Sequence, residues 1–387
     1  MSIPMLYRGR EQAYVKHTIL KTYLQRLIMI IGRTELEINY VDCFAGPWSE
    51  ESDDLRDTSI GISLELMEES AISLKSTFGR NVRFRALYIE KDPKAFQKLK
   101  QFLQLKNFQS VTAECLEGDY VDYIPDIVQW AGGAFTFFFV DPKGWKRVIN
   151  ASVMKPLLKM KKVEFLINLM YDFFNRALSI ESQQVAVTEL LGINADISGV
   201  HGAIDRQSYV LDRYRSQVNT VYGGRSAYVA VDRPGTERVL YFLVYLSRHP
   251  LGIKVFKEEA EKMEMVQRVS HLEIKLRQQV EKAQMADLFA TDTDISNAAE
   301  YHDNRLSAKS YVLSKLSREP VLIDLECWAS YLEESDLYPS DLQLAFKELT
   351  KEGVIINLDK DITRRSKLPV RPDWPKKSER WALKSQE

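Results

Sequence analysis

Cysteine and histidine are scarce in this chain, with three cysteines and five histidines in 387 residues. Cys43, Cys115 and Cys327 lie far apart and have no histidine-rich surroundings. The spacing of a zinc or iron–sulfur site is therefore absent, no metal is expected, and so few cysteines fit a reducing compartment. Excess charge of one sign is missing as well. Lys+Arg 53 against Asp+Glu 54 leaves a net charge of -1, which removes any global electrostatic case for nucleic acid or a membrane surface. No uncharged apolar run approaches the roughly 20 residues of a membrane span. The first residues, Met1 to Arg8, do not read as a signal peptide. A soluble cytoplasmic protein without a membrane partner is expected, long enough for two domains with cores of their own.

What is present is an alternation of apolar strands and amphipathic helices. In residues 13–31, Val15, Ile19, Leu24, Leu27, Ile28 and Ile31 recur at helical spacing, and Gly32 can end the helix. Strands are expected at 38–42, 84–89, 110–115, 135–140 and 163–169. Residues 58–70 (with an extension to 78), 94–105 and 154–160 supply helices between them. The continuous run Phe135-Thr136-Phe137-Phe138-Phe139-Val140 marks a central strand buried on both faces. Two more strands, 226–231 and 238–246, flank the turn sequence Asp232-Arg233-Pro234-Gly235-Thr236. Residues 180–221 are mostly helical and polar and read as an insertion into this scaffold. The expected fold is an α/β, Rossmann-like sheet of seven strands over residues 1–289, closed by a long charged helix at 254–287. Residues 290–304 have few large apolar side chains and read as a linker. Three short helices at 307–317, 325–333 and 339–352 and a strand at 353–358 then give a winged-helix-like module, 305–387, with a basic tail. No internal repeat is evident.

In a parallel sheet, ligands collect at the C-terminal ends of the strands. Four polar motifs fall at such ends. Asp42-Cys43-Phe44-Ala45-Gly46-Pro47 supplies a tight turn that lets backbone approach a ligand. Glu90 closes the second strand, where a carboxylate can accept from both hydroxyls of a ribose. Asp119 follows the third, where an acid can accept from an adenine amino group. Asp141-Pro142-Lys143-Gly144-Trp145 follows the most apolar strand and should lie beside a transferred group. Each acid also has a plainer use, as the cap of the next helix.

This order resembles the class I S-adenosylmethionine-dependent methyltransferases over residues 38–250. The resemblance implies a seven-stranded methyltransferase sheet with S-adenosylmethionine held by Asp42, Phe44, Ala45, Gly46, Pro47, Glu90 and Asp119. Adenine-amino methyltransferases carry an (Asp/Asn)-Pro-Pro-aromatic loop at the fourth position. Here Asp141 and Pro142 match, Lys143 replaces the second proline, and Trp145 comes one place late. Lys16-His17 at the start of the first helix, then Tyr40-Val41-Asp42, Phe44-Ala45-Gly46-Pro47, Ile89-Glu90-Lys91-Asp92, Val140-Asp141-Pro142 and Phe165-Leu166-Ile167-Asn168-Leu169 look like the three-Cys-motif partner proteins (TcmP) over residues 12–280. That family is bacterial and is named for a radical-SAM-like protein neighbour, so the resemblance implies a protein partner and no fixed reaction. The three cysteines of this chain are unrelated to that motif.

Lys143, Lys146, Arg147, Lys155, Lys159, Lys161 and Lys162 form a basic run without an acid. Lys143, Lys146 and Arg147 can bind phosphates and Trp145 can stack a base, although a solvated helix face has the same composition. Arg364, Arg365, Lys367, Arg371, Lys376, Lys377 and Arg380, with Trp374 and Trp381, give the tail the same mixture. The expected activity is methyl transfer from S-adenosylmethionine to a base of DNA or RNA, with Asp141, Pro142 and Lys143 at the reacting centre. The alternative is a non-catalytic partner or adaptor of a three-Cys-motif radical-SAM-like protein or of a defence system, its cofactor site binding or vestigial.

Overall fold

Strand β1 (Glu37–Asp42) lies between β2 (Arg83–Glu90) and β4 (Phe135–Val140), parallel to both. Strand β3 (Val111–Glu117) continues the sheet beyond β2, and β5 (Val163–Leu169) continues it beyond β4. Two antiparallel strands, β6 (Arg225–Asp232) and β7 (Val239–Ser247), complete the order β3-β2-β1-β4-β5-β7-β6. All seven expected strands are present within one or two residues at either end. β4 and β5 are buried along their whole length, as central parallel strands covered on both faces must be. Chain order runs outward from β1 in one direction and resumes at β4 on its other side. The crevice between the ends of β1 and β4 is therefore the topological switch point of the sheet. The computed structural model describes residues 4, 7, 11–46, 58–106, 108–192, 203–236, 238–285, 305–335, 337–359, 368–372 and 379–384. Pro47, Trp374, Arg364, Arg365 and the expected linker at 290–304 lie outside these residues.

Local chemistry sets the helix ends. α1 (Glu11–Ile31) buries Val15, Ile19, Tyr23, Leu24, Leu27 and Ile28. It stops at Gly32, whose N–H donates to the Ile28 carbonyl at 2.8 Å. α2 (Ser59–Phe78) opens on Thr58, which accepts from the Gly61 N–H at 3.2 Å. α3 (Pro93–Leu105) opens on Asp92, which accepts from Ala95 at 2.8 Å, with Pro93 at a position that needs no N–H. The sequence reading did not separate α4 (Ile124–Ala131), an eight-residue helix ended by Gly132 in the left-handed region. α5 (Ala151–Leu158) and α6 (Tyr171–Ala177) follow β4 and β5.

The segment read as an insertion is part of the core. After a 3-10 turn at Glu181–Gln183 come α7 (Gln184–Leu191) and α8 (Ala203–Tyr222). Val187, Leu190, Leu191, Val210, Tyr214, Val218 and Tyr222 join Phe138, Phe165 and Met154 in one buried cluster. Val210, Tyr214, Val218 and Tyr222 recur every fourth residue, a helical stripe that the polar average of the segment conceals. These helices are the crossover from β5 to β6 and cover one face of the sheet.

The chain divides into two compact units, Met1–Arg248 and His249–Glu387. The second holds α9 (Pro250–Met285), α10 (Arg305–Lys315), β8 (Val321–Ile323), α11 (Leu325–Glu334), α12 (Pro339–Lys351), β9 (Ile355–Asn357) and β10 (Glu379–Leu383). The expected boundary at residue 289 therefore moves back to 248: α9, assigned from sequence to the first domain, packs against α11 and α12. One strand was expected here and three are found among the described residues, in the antiparallel order β8-β10-β9. Trp381 is no exposed stacking ring of the tail. It is buried on β10 with its ring edge against Phe346, centroids 4.9 Å apart. No helix among the described residues is long and apolar enough to cross a membrane.

Candidate functional site

Registers Asp42↔Tyr88, Asp42↔Phe139 and Glu90↔Glu117 align the ends of β1, β2, β3 and β4 along one edge. The polar motifs expected at a ligand edge therefore meet there. After β1 the chain folds back on itself. Cys43 N–H donates to the Phe139 carbonyl at 3.0 Å and Ala45 N–H to the Ile89 carbonyl at 2.8 Å, so the loop is stitched to both flanking strands. Asp42 is completely buried; its Oδ1 accepts from Phe44 N–H at 3.1 Å and its Oδ2 from Ser59 Oγ at 2.6 Å. Burial pushes its carboxyl up to about 7; the Ser59 and Phe44 hydrogen bonds oppose the shift, Asp141 adds to it and Lys16 opposes it. Asp42 and Ala45, expected at the ligand, are both buried and line neither of the cavities described below. They shape the loop that presents Cys43, Phe44 and Gly46 to the larger one.

Glu90 Oε1 accepts from the Asp92 N–H at 2.6 Å, which turns the chain into α3. The Glu90 carbonyl accepts from Gly118 N–H at 2.9 Å, joining the ends of β2 and β3. Gly118 has a φ of 145°, and a Cβ there would lie 2.9 Å from the Tyr123 ring. Only glycine fits that close approach. Asp119 Oδ1 accepts from Val121 N–H at 3.2 Å and Oδ2 from Lys91 Nζ at 3.1 Å. Asp119 thus caps the turn ahead of α4, and it also borders the cavity.

Asp141 is held on both oxygens. Lys16 Nζ from α1 donates to Oδ2 at 2.5 Å, and Asn168 Nδ2 from β5 donates to Oδ1 at 2.6 Å. The register Val140↔Ile167 puts Asn168 beside Asp141. Pro142 is buried, while Lys143, Lys146 and Arg147 are exposed. Arg147 has a φ of 62°, a left-handed conformation that costs a residue with a Cβ energy. Trp145 departs from expectation. It is 4% exposed and its ring edge packs on Phe174, centroids 5.0 Å apart, so it forms cavity wall and is not free to stack on a base.

Among the described residues, cavities open along this edge, two of them bounded by the motif loops. The larger, about 970 Å³, is bounded by Phe44, Gly46, Glu90, Asp119, Asp141 and Lys143. The smaller, about 320 Å³, is bounded by Gln12, Lys16, His17, Ser59, Asn168 and Tyr241. Phe44, Gly46, Asp141, Pro142 and Lys143 line both, so the β1 and β4 loops form the partition. Phe44 stands in that partition with its ring edge-on to Tyr120, centroids 5.1 Å apart. Residues such as Gln12, Ser59 and Tyr241 escaped the sequence reading because they come from helices and an antiparallel strand remote in sequence from the motif ends. Asn168 did leave a signal, as the polar residue next to the end of an otherwise apolar strand.

No family model matches the sequence, and no curated protein does. Among solved structures, human methyltransferase-like protein 13 in complex with SAH is 14% identical, with 73% of this chain and 96% of that chain covered at a TM-score of 0.33. Precorrin-6y C5,15-methyltransferase from Geobacter metallireducens is 9% identical, covering 58% of this chain and 88% of that chain at 0.28. Loganic acid methyltransferase with SAH is also 9% identical, covering 67% and 87% at 0.29.

Proposed function

We propose that the first unit is an S-adenosylmethionine-dependent methyltransferase acting on a nucleic-acid base. The observation that carries this reading is the larger cavity at the switch point of the sheet, with Glu90 and Asp119 at adjoining strand ends on its wall. Its volume of about 970 Å³ falls within the range of small-molecule sites. The donor set suits the cofactor. Glu90 spends one oxygen on Asp92 N–H, and a carboxylate has about four acceptor positions, leaving capacity for two ribose hydroxyls. Asp119 would accept from the adenine amino group, and Phe44 and Gly46 would close over the reacting end.

The cofactor supplies a methyl group on a sulfonium that already carries its leaving group. The chain's task is alignment. Asp141, in the partition between the cavities, would accept from the incoming nucleophile and aim its lone pair. Lys143, Lys146 and Arg147, exposed on the rim, would meet phosphates. Helices α10, α11 and α12 and the three-stranded sheet of the second unit support a winged-helix-like module as a further nucleic-acid contact.

One observation favours a second reading. Both Asp141 oxygens are already engaged, by Lys16 and Asn168. A site held in that way suits a partner or adaptor of a three-Cys-motif protein, which binds cofactor without turning over.

Calorimetry with S-adenosylmethionine separates the possibilities. Wild-type protein should bind. Glu90→Ala should lose about a hundredfold or more, since charge-assisted hydrogen bonds are worth about 1.5–3 kcal/mol each. Unchanged affinity would remove Glu90 from the site. Transfer to DNA or RNA that disappears in Asp141→Ala supports the enzyme. Cofactor binding without transfer to any acceptor supports the adaptor.

A further inference from the structure

Arginines gather farther along the same edge of the sheet. The turn Arg233-Pro234-Gly235-Thr236 closes β6 onto β7. Thr236 N–H donates to the Arg233 carbonyl at 3.0 Å, and Arg233 N–H to the Arg238 carbonyl at 2.8 Å. Gly235, with a φ of 74°, takes the position that such a turn reserves for glycine. Arg233 and Arg238 are thus paired across the hairpin, on one face of it, and both reach the start of α6. Arg238 Nη2 donates to Asp172 Oδ1 at 2.7 Å and Arg233 Nη2 to Asp172 Oδ2 at 3.1 Å. Arg176, one turn along α6, reaches Oδ2 as well, at 3.4 Å. Asp172 is buried, while each of the three arginine side chains is about half exposed.

One guanidinium would neutralise Asp172. Three leave a surplus of positive charge that repels itself until a further anion joins it. Burial raises the Tyr171 hydroxyl above its usual range while Arg206 and Arg238 lower it, so a fourth guanidinium stands close by. Among the described residues, Arg233 and Arg238 each spend one side-chain nitrogen on Asp172, which leaves Nε and Nη1 of both for another acceptor. Forked N–H donors of this kind match the oxygens of a phosphate. The register Leu169↔Phe242 sets the hairpin at the C-terminal end of β5, next along the edge from the β4 loop. Phe173, beside Asp172, lines the larger cavity. Its ring is 45% exposed, with the Arg176 guanidinium 4.6 Å from the centroid. An open ring among cations suits a single strand, whose bases are free to stack while its phosphates pair. The bases of a duplex are already stacked.

We infer that α6 and the β6–β7 hairpin form a docking site for a single strand of nucleic acid, with Arg233 and Arg238 holding a phosphate and Phe173 stacking on a neighbouring base. The inference rests on the nucleic-acid half of the proposed function and is independent of the cofactor. The test is equilibrium binding of labelled single-stranded DNA and RNA oligonucleotides to the full chain across a range of salt. Replacing both arginines, Arg233→Gln with Arg238→Gln, should weaken binding about tenfold or more and reduce the salt slope by about 0.7, the share of one phosphate. Arg233→Lys with Arg238→Lys should restore the slope. Phe173→Ala should weaken binding about tenfold with the slope unchanged. It leaves the ion pairs in place, so it answers the question if the glutamine variant fails to fold. No binding of either strand, an unchanged slope in the glutamine variant, a slope that lysine does not recover, an unchanged affinity in Phe173→Ala, or duplex bound as tightly as single strand would overturn the inference. The expected losses found in protein that binds no S-adenosylmethionine would uphold it and remove the cofactor reading instead.

Discussion

Asp42 shows how a residue can be legible in type and illegible in role. Its place at the end of the first strand followed from Ile38-Asn39-Tyr40-Val41 and the glycine turn after it, yet nothing in the sequence says that the side chain is fully buried and bonded to Phe44 N–H and Ser59 Oγ. Glu90, Asp119 and Asp141 were placed correctly at strand ends because strand-then-acid is a local pattern. Lys16 acts through Asp141, 125 residues away, and the Gln12 carbonyl through Tyr241, 229 residues away, and no local pattern records that. Burial of Asp42 has a thermodynamic consequence. Its carboxyl rises from an ordinary 3.8 to about 7, so between those values the folded chain holds a proton that the unfolded chain has released. Stability from this group is complete below about 3.8 and is lost as pH rises through about 7, by up to about 4 kcal/mol at 1.36 kcal/mol per unit. Asp42→Asn can keep the Phe44 and Ser59 hydrogen bonds while removing the titration. Urea denaturation at pH 4 and pH 8 should show wild type losing stability relative to Asp42→Asn over that interval. Parallel profiles would mean that Asp42 is ionised in the fold.

At the scale of elements, β4 was legible because a continuous apolar run of six residues has few other uses, and the strands around it because each ends in a polar turn. Several short elements were not legible. α4 has eight residues, β8 has three, and β10 follows a stretch of lysine and proline that reads as tail. α7 and α8 were seen as helices but not as a layer of the core, since their polar faces outweigh the stripe that packs. Helix ends carry two different kinds of glycine, and substitution should tell them apart. Gly32, after α1, would place a Cβ 2.4 Å from Leu74 Cδ1 on α2 and 2.9 Å from the Ile28 carbonyl oxygen. Gly79, after α2, has a φ of 65° with open space around it. Gly32→Ala should cost about 1–3 kcal/mol by forcing α1 and α2 apart. Gly79→Ala should cost about 1–2 kcal/mol from backbone conformation alone. Adding Leu74→Ala should recover part of the Gly32→Ala loss beyond additivity and none of the Gly79→Ala loss, which chemical denaturation of the single and double variants would read directly.

For the whole molecule, the two-unit division was legible but its position was not. The long charged helix α9 follows the last strand of the sheet without a break in the sequence, and a linker-like composition comes only afterwards, so the boundary was drawn at the composition change. The structure assigns α9 by what it packs against. Lys257 Nζ sits 5.1 Å from the centroid of the Tyr338 ring, Glu261 accepts from the Ser340 hydroxyl, and α9 lies along α11. A fragment of residues 249–387 should therefore unfold cooperatively and at a higher temperature than one of residues 305–387, which lacks the helix that covers α11. Each kcal/mol that α9 contributes should appear as a difference of about 3–5 °C for a fragment of this size. Ser340→Ala and Lys257→Ala should each narrow the gap in the longer fragment and leave residues 305–387 nearly unaffected where Lys257 is absent and Ser340 has lost its partner. Equal melting temperatures for the two fragments would return the boundary to the composition change and make α9 an extension of the first unit.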